Sequence, residues 1–190
     1  LELIANEMSL MIAPDRLANH HIGGATFAEP DAVVQWMGLI QAQDYLGALW
    51  ATGLRLPGVT EADIERALAE RSIVRTWPAR GTLHFVAAQD ARWMLELLAP
   101  RVIARSRGRL QQVGLDEATL ARSSQLFSAA LQGGKQLTRA AMCQLLESAH
   151  ISTAGQRGIY ILGRLAQEGL LCFGAREGKQ QTFTLLAEWV

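Results

Sequence analysis

The sequence has little lysine, little cysteine and no surplus of charge. Eighteen basic residues meet eighteen acids, so the net charge is zero. That balance argues against indiscriminate binding to nucleic acid. No apolar run reaches the eighteen or so residues that a membrane span needs. Met8–Ile12 is too short for the core of a signal peptide and lacks a basic flank. The only two cysteines, Cys143 and Cys172, sit among apolar neighbours, as buried free thiols of a cytoplasmic protein do. The four histidines have no metal-ligand spacing, and the adjacent pair His20-His21 is a weak signal. No metal or cofactor is therefore expected.

What is present is a core and an uneven charge pattern. Apolar residues make up 49% of 190, enough for one domain or two small ones. Residues 1–70 carry three arginines against ten acids, whereas 71–110 carry eight arginines against two acids. Arginine codon bias in a GC-rich genome accounts for the scarcity of lysine but not for this clustering. A middle segment so rich in arginine suits bidentate contacts to phosphate. The apolar end Leu185–Val190 and the initial Leu1 read as those of a piece of a longer protein.

Pattern along the chain predicts mainly α structure with small β-hairpins. Pro30 opens a helix with Val33, Met37 and Ile40 inward. The pattern breaks at Gln41-Ala-Gln43-Asp44, then resumes through Tyr45, Leu49 and Trp50 to Pro57-Gly58. Thr60 with Asp63 resembles a capping box ahead of a helix bearing Ile64 and Leu68. Ile73–Trp77, a turn over Pro78–Gly81 and Thr82–Val86 form a hairpin. Connecting helices follow over 88–114. Trp93, Leu97 and Leu98 pack on one side, Pro100 breaks the run, and Arg101, Arg105, Arg107 and Arg109 make a basic face. The same order then returns. Asp116 starts a helix with Leu120, Phe127 and Leu131 inward, and Thr138 caps a second. Ile159, Leu162 and Leu165 define a third, closed by Gly169. Leu170–Phe173 and Gln181–Leu185 are the second hairpin. The repeat predicts tandem winged helix-turn-helix units, 1–87 and 115–190, joined by connecting helices over 88–114.

Gln41-Ala-Gln43-Asp44, Arg75-Thr-Trp-Pro78, Arg80-Gly-Thr-Leu-His84 and Leu137-Thr-Arg139 resemble the bacterial winged-helix DNA-binding family that contains the AlkZ-like and YcaQ-like DNA glycosylases. The resemblance runs from about residue 16 to the end. It implies a C-shaped body of several winged helices and a β-barrel, and removal of N7-alkylated purines, including bases joined in interstrand crosslinks. It places the catalytic glutamine–aliphatic–glutamine signature on Gln41, Ala42 and Gln43. The expected partner is double-stranded DNA, alkylated or crosslinked. No membrane is expected, and the location is cytoplasmic, on the nucleoid when DNA is bound.

Two glutamines suffice for such chemistry. An N7-alkylated purine is already cationic, so its departure needs no proton donor. The enzyme must position a water and tolerate an oxocarbenium-like sugar, which carboxamide dipoles can do. On non-helical backbone Gln41 and Gln43 point roughly the same way; on a helix they would lie about 200° apart.

The expected DNA contacts are Arg75, Arg80, Arg101, Arg105, Arg109, Arg157 and Arg164, with surface ion pairs or a solvated helix face as the alternative. Asp44 either joins a lesion pocket or caps the next helix. His84 either faces that pocket or is a hydrogen-bonded structural histidine. Trp77 either packs under the turn or stacks on a base. The runners-up for function are a winged-helix transcriptional regulator and a module for protein contacts. The acidic helix Glu61–Arg71 would be repelled by phosphate, which leaves Gln156, Arg157, Tyr160 and Arg164 as the better groove-reading face.

Overall fold

A computed structural model describes residues 12–24 and 27–190. Nearly all of the Met8–Ile12 stretch lies outside them. The first set of elements is Pro30–Met37 (α1), Ile40–Gln41 (β1), Tyr45–Gly53 (α2), Glu61–Ala69 (α3), Ile73–Ala79 (β2), Thr82–Ala87 (β3) and Ala88–Gln112 (α4). The second is Glu117–Leu131 (α5), Leu137–Thr138 (β4), Arg139–Ser148 (α6), Arg157–Gln167 (α7), Leu171–Phe173 (β5), Thr182–Leu185 (β6) and Leu186–Trp189 (α8). The order helix, strand, helix, helix, strand, strand, helix thus occurs twice. Each half has one three-stranded antiparallel sheet, ordered β1-β3-β2 and β4-β6-β5. The fold is mainly helical with small antiparallel sheets.

Local chemistry sets the boundaries. Pro30 starts α1, where its missing N–H costs nothing. Thr60 and Asp63 form a reciprocal capping box, with the Thr60 N–H 2.8 Å from Asp63 Oδ2. Asp116 and Thr138 accept N–H groups from Thr119 and Ala141 at the starts of α5 and α6. The two hairpins begin alike. Arg71 and Gly169 adopt positive φ, 70° and 80°, and end α3 and α7. The next residues, Ser72 and Leu170, accept the N–H groups of Ala88 and Leu186, which closes each hairpin.

Several expectations need correction. Ile40 belongs to β1, not to the preceding helix. Strands β1 and β4 were not foreseen. The first hairpin turns on Arg80-Gly81 alone, both at positive φ (58° and 73°), as a two-residue hairpin loop requires. Pro78 lies within β2, at the irregularity between Thr76 and Ala79, where its missing donor is tolerated. Residues 88–112 form one helix that continues through Pro100. Both Pro100 and Glu96, whose carbonyl loses its partner, are exposed, so water can take the hydrogen bond. Trp93 and Leu97 are 48% and 63% exposed; the inward face of α4 is Ala91, Met94, Leu95 and Ala99.

The halves share their core. Val33, Leu49, Leu56, Ile64, Ile73 and Phe85 fill the first half. Phe127, Leu131, Met142, Leu146 and Leu162 fill the second, and Trp77 and Leu83 reach into it from the first hairpin. Trp77 stacks on Phe173 at 5.0 Å between centroids, so it is a packing residue. Val74, Val86, Met94, Cys172 and Trp189 bridge the two. Cys143 and Cys172 are free thiols; burial pushes Cys172 up to about 12. No helix among the described residues is long and apolar enough to cross a membrane.

Candidate functional site

The segment between β1 and α2 is extended and held from below. Ala42 is fully buried, while Gln41 and Gln43 on either side are exposed. This is the alternation of extended backbone rather than of a helix. Gln41 pairs with His84 and Ile40 with Phe85. The Ala42 N–H continues the ladder to the Leu83 carbonyl at 2.7 Å. The Leu83 N–H in turn donates to Gln43 Oε1 at 3.3 Å. A carboxamide oxygen has two lone pairs, so Gln43 retains one for water or substrate.

Gln43 lines an open groove of about 900 Å³ between the two halves. The first half contributes Arg75, Trp77, Gly81 and Leu83 to its walls; the second contributes Arg139, Cys143, Gln180 and Gln181 among others. Gln41 stands outside this lining, across the sheet from His84. Arg139 belongs to the Leu137-Thr-Arg139 motif. Nothing in the sequence marks Cys143, Gln180 or Gln181, because only the packing of the halves brings them to Gln43.

Arg75 was expected on DNA. It is 5% exposed, and its Nε and Nη2 donate to the Ala42 carbonyl at 3.1 and 2.6 Å. Its guanidinium carbon lies 5.2 Å from the Tyr45 ring centroid and 4.8 Å from that of Phe173. Burial draws its pKa down to about 10. Beside it, Glu65 accepts from Arg176 at 2.8 Å and from the Tyr45 hydroxyl at 3.1 Å. Burial and the Glu65 charge raise that hydroxyl to about 12.

The other arginines separate into two groups. Arg157 donates to the carbonyls of Ser152, Val113 and Gly114, tying α7 to the end of α4. Arg164 pairs with Glu168 at 2.7 Å and has a side chain only 10% exposed. Both are engaged within the fold, where the expectation puts them on DNA. Arg109 donates to the Tyr160 hydroxyl at 2.9 Å and stacks over that ring. Arg71 and Arg92 bind the carbonyls of Glu188 and Val190. Arg80, at the hairpin tip, and Arg101, Arg105 and Arg107 are exposed. Arg107 points about 200° round the helix from Arg105, so the run is not one face. The tip meets α4 beside Arg101: a Cβ added at Gly81 would lie 3.8 Å from Val102 Cγ1, and Gly81 also lines the Gln43 groove.

Asp44 caps α2, its Oδ1 accepting the Gly47 N–H at 3.2 Å, the helix-cap alternative of the two expected. His84 is 5% exposed, with Nδ1 2.9 Å from the Thr82 carbonyl. A carbonyl only accepts, so Nδ1 carries the proton. Burial first, then the charge of Arg80, lower its pKa and favour the neutral ring. This is the hydrogen-bonded structural histidine, not an open pocket wall. Among the described residues no three His, Cys, Asp or Glu stand together as metal ligands would.

Fold and site together define a helical protein with two small sheets and a pinned Gln41–Gln43 segment whose Gln43 lines the groove between them. The family model for AlkZ-like DNA glycosylases matches residues 34–190. The interstrand DNA cross-link repair glycosylase of Streptomyces sahachiroi is 30% identical over 155 residues, which are 78% of this chain and 41% of that protein. The solved structure of the Streptomyces sahachiroi DNA glycosylase AlkZ superposes with a TM-score of 0.76 at 25% identity, covering 90% of this chain and 47% of that one. The chain belongs to the AlkZ-like DNA glycosylase family, and it spans less than half the length of either relative.

Proposed function

We propose that the protein is a DNA glycosylase that binds duplex DNA and releases N7-alkylated purines, or bases held in interstrand crosslinks. The observation that carries this reading is the extended Gln41-Ala42-Gln43 segment, pinned at Ala42 with Gln43 at the mouth of the groove. On this reading Gln43 keeps one oxygen lone pair for the attacking water, and its dipole faces the developing cation. Gln41, across from His84, contributes to the same face of the sugar. The base leaves already neutralised, and no proton donor is needed. His84, bonded to Thr82 within β3, is the cross-strand neighbour of Gln41.

The repeated order of elements supports two winged helix-turn-helix units, 1–87 and 115–190, connected by 88–114. Each third strand, β1 or β4, completes a wing sheet. Exposed cations, Arg139 on the groove wall, Arg80 at the first wing tip and Arg101 and Arg105 on α4, would hold the DNA backbone beside the scissile bond. The regulator reading is weaker here: α3 is acidic, and the arginines of α7 are engaged inside the fold. The test is base release from N7-methylguanine duplex by the full-length protein and its Gln43→Ala variant. Release by the wild type and its loss in the variant are expected. Equal release by both would remove the glutamine from the mechanism.

A further inference from the structure

The two halves of this protein act as controls for each other. Across the first sheet the row is Ile40–Phe85–Arg75; across the second it is Leu137–Phe183–Phe173. The outer positions are apolar in both rows except one, where Arg75 replaces an aromatic ring. The frame itself therefore needs no cation there. Burying one is costly unless it is compensated. No carboxylate forms an ion pair with Arg75 among the described residues, and its Nη1 is buried without a partner.

What differs around Arg75 is the chain above it. In the second half β4 runs straight into α6, and Thr138 itself caps the helix. In the first half three residues, Ala42, Gln43 and Asp44, separate β1 from α2. That insertion leaves the Ala42 carbonyl buried and outside any ladder. A buried carbonyl needs a donor. Arg75 supplies two N–H groups to that one oxygen.

We infer that Arg75 is a positioning residue that sets the Gln41–Gln43 segment and links it to the second sheet through Phe173. Fixing the Ala42 carbonyl fixes the peptide plane into Gln43. With the Leu83 N–H on its oxygen, the Gln43 side chain is then held at both ends. The guanidinium lies between Tyr45 of the first half and Phe173 of the second, so the clamp is shaped only when both sheets are packed together. The catalytic part of this inference rests on the glycosylase reading; the clamp itself does not.

The experiment compares full-length wild type with Arg75→Met, Arg75→Lys and Phe173→Leu. It measures single-turnover release of N7-methylguanine, duplex affinity, and hydrogen exchange of residues 40–46. Arg75→Met keeps the apolar stem and loses the clamp. It should slow release about 100-fold, the scale of a misplaced reacting group, with duplex affinity unchanged. Arg75→Lys, which offers one donor nitrogen in place of the two-nitrogen fork, should recover part of the rate. Exchange at 41–43 should quicken in Arg75→Met while the β2–β3 ladder stays protected. Arg75→Met combined with Gln43→Ala should be no slower than Gln43→Ala alone. Should Arg75→Met fail to fold, Phe173→Leu carries the test, with a smaller rate loss and the same exchange change. Wild-type rate and exchange in folded Arg75→Met would overturn the inference, as would an affinity loss that matches the rate loss. If the wild type releases no base but exchange still quickens, the clamp stands and the glycosylase reading falls.

Discussion

Strand β1 ends on Gln41 and delivers its chain to a loop that carries Gln43; strand β4, in the matching place, delivers its chain to a helix cap. Both are two-residue strands on the edge of a three-stranded sheet, and both pair with the returning strand of a hairpin. Both hairpins are closed by the same backbone bond after a left-handed residue. The candidate site is thus a small addition to a repeated frame. Three extra residues lift Gln43 to the cleft, and one buried arginine answers the carbonyl they leave behind. The second half keeps the plain version, and it contributes Phe173, Gln180, Gln181 and Arg139 to the groove.

The largest expected effect tests whether the frames are equivalent. Phe85 and Phe183 occupy the same place and are 0% and 2% exposed. Phe85→Ala and Phe183→Ala should each cost about 3–5 kcal/mol in denaturant unfolding. A cost confined to one of them would break the equivalence of the halves.

Next comes the loop that only the first half has. Gln43→Ala should lower base release roughly 100- to 1,000-fold, the scale of one positioned polar group at a transition state. Gln43→Glu should keep substantial activity, because a carboxylate accepts the same hydrogen bond and better stabilises positive charge. Thr138→Ala, at the strand end of the other half, should cost about 1 kcal/mol of stability through its lost cap and leave the chemistry alone. Efficient excision of uracil by the wild type would sink the mechanism, since a neutral base needs stronger activation than two amides supply.

The charge of Arg101 and Arg105 lies on α4, which follows the first hairpin. Reversing Arg101 and Arg105 to glutamate should weaken duplex binding. It should also flatten the slope of log affinity against log salt by about 0.9 for each phosphate no longer neutralised. An unchanged slope would make this face a solvated helix surface.

A smaller effect lies on the alkaline side. Tyr45 in the first half and Cys172 in the second are both held protonated up to about 12 in the fold, against ordinary values of 10 and 9. At these two groups the folded state then binds more protons than the unfolded one. Their contribution to stability is intact below pH 9 and falls as pH rises from there towards 12, while Arg75, drawn down to about 10, works the opposite way. Tyr45→Phe should remove the part of that fall which begins near pH 10, as read by thermal melts against pH. A melt profile identical to the wild type would discount the burial of that hydroxyl.

The smallest effect compares the two left-handed residues. Gly169→Ala should cost about 1 kcal/mol, because a Cβ is strained at positive φ. Arg71 already bears that strain, and it binds the Glu188 carbonyl and stacks over Trp189. Arg71→Gly should therefore change stability less than Gly169→Ala does, the relief of strain offsetting the missing tie to α8.

Features whose causes are local could be read from the residues alone. The capping box at Thr60 and Asp63, the caps at Asp116 and Thr138, the inward faces of α5 to α7, the hairpins and their repetition all follow from neighbours within a few residues. The paired glutamines at a break in helical pattern were legible for the same reason, as was their extended backbone. Tertiary structure decided the rest. A two-residue strand has no pattern of its own and exists only through its partner, so β1 and β4 were invisible. Pro100 reads as a breaker, yet it stays in a helix whose freed carbonyl faces water. An arginine in a sequence reads as a surface charge, so Arg75, Arg157 and Arg164 were assigned to DNA. Their actual partners are the carbonyls of Ala42, Val113, Gly114 and Ser152 and the carboxylate of Glu168. Where a buried carbonyl or a facing carboxylate ends up depends on how distant elements pack, and no local pattern encodes that.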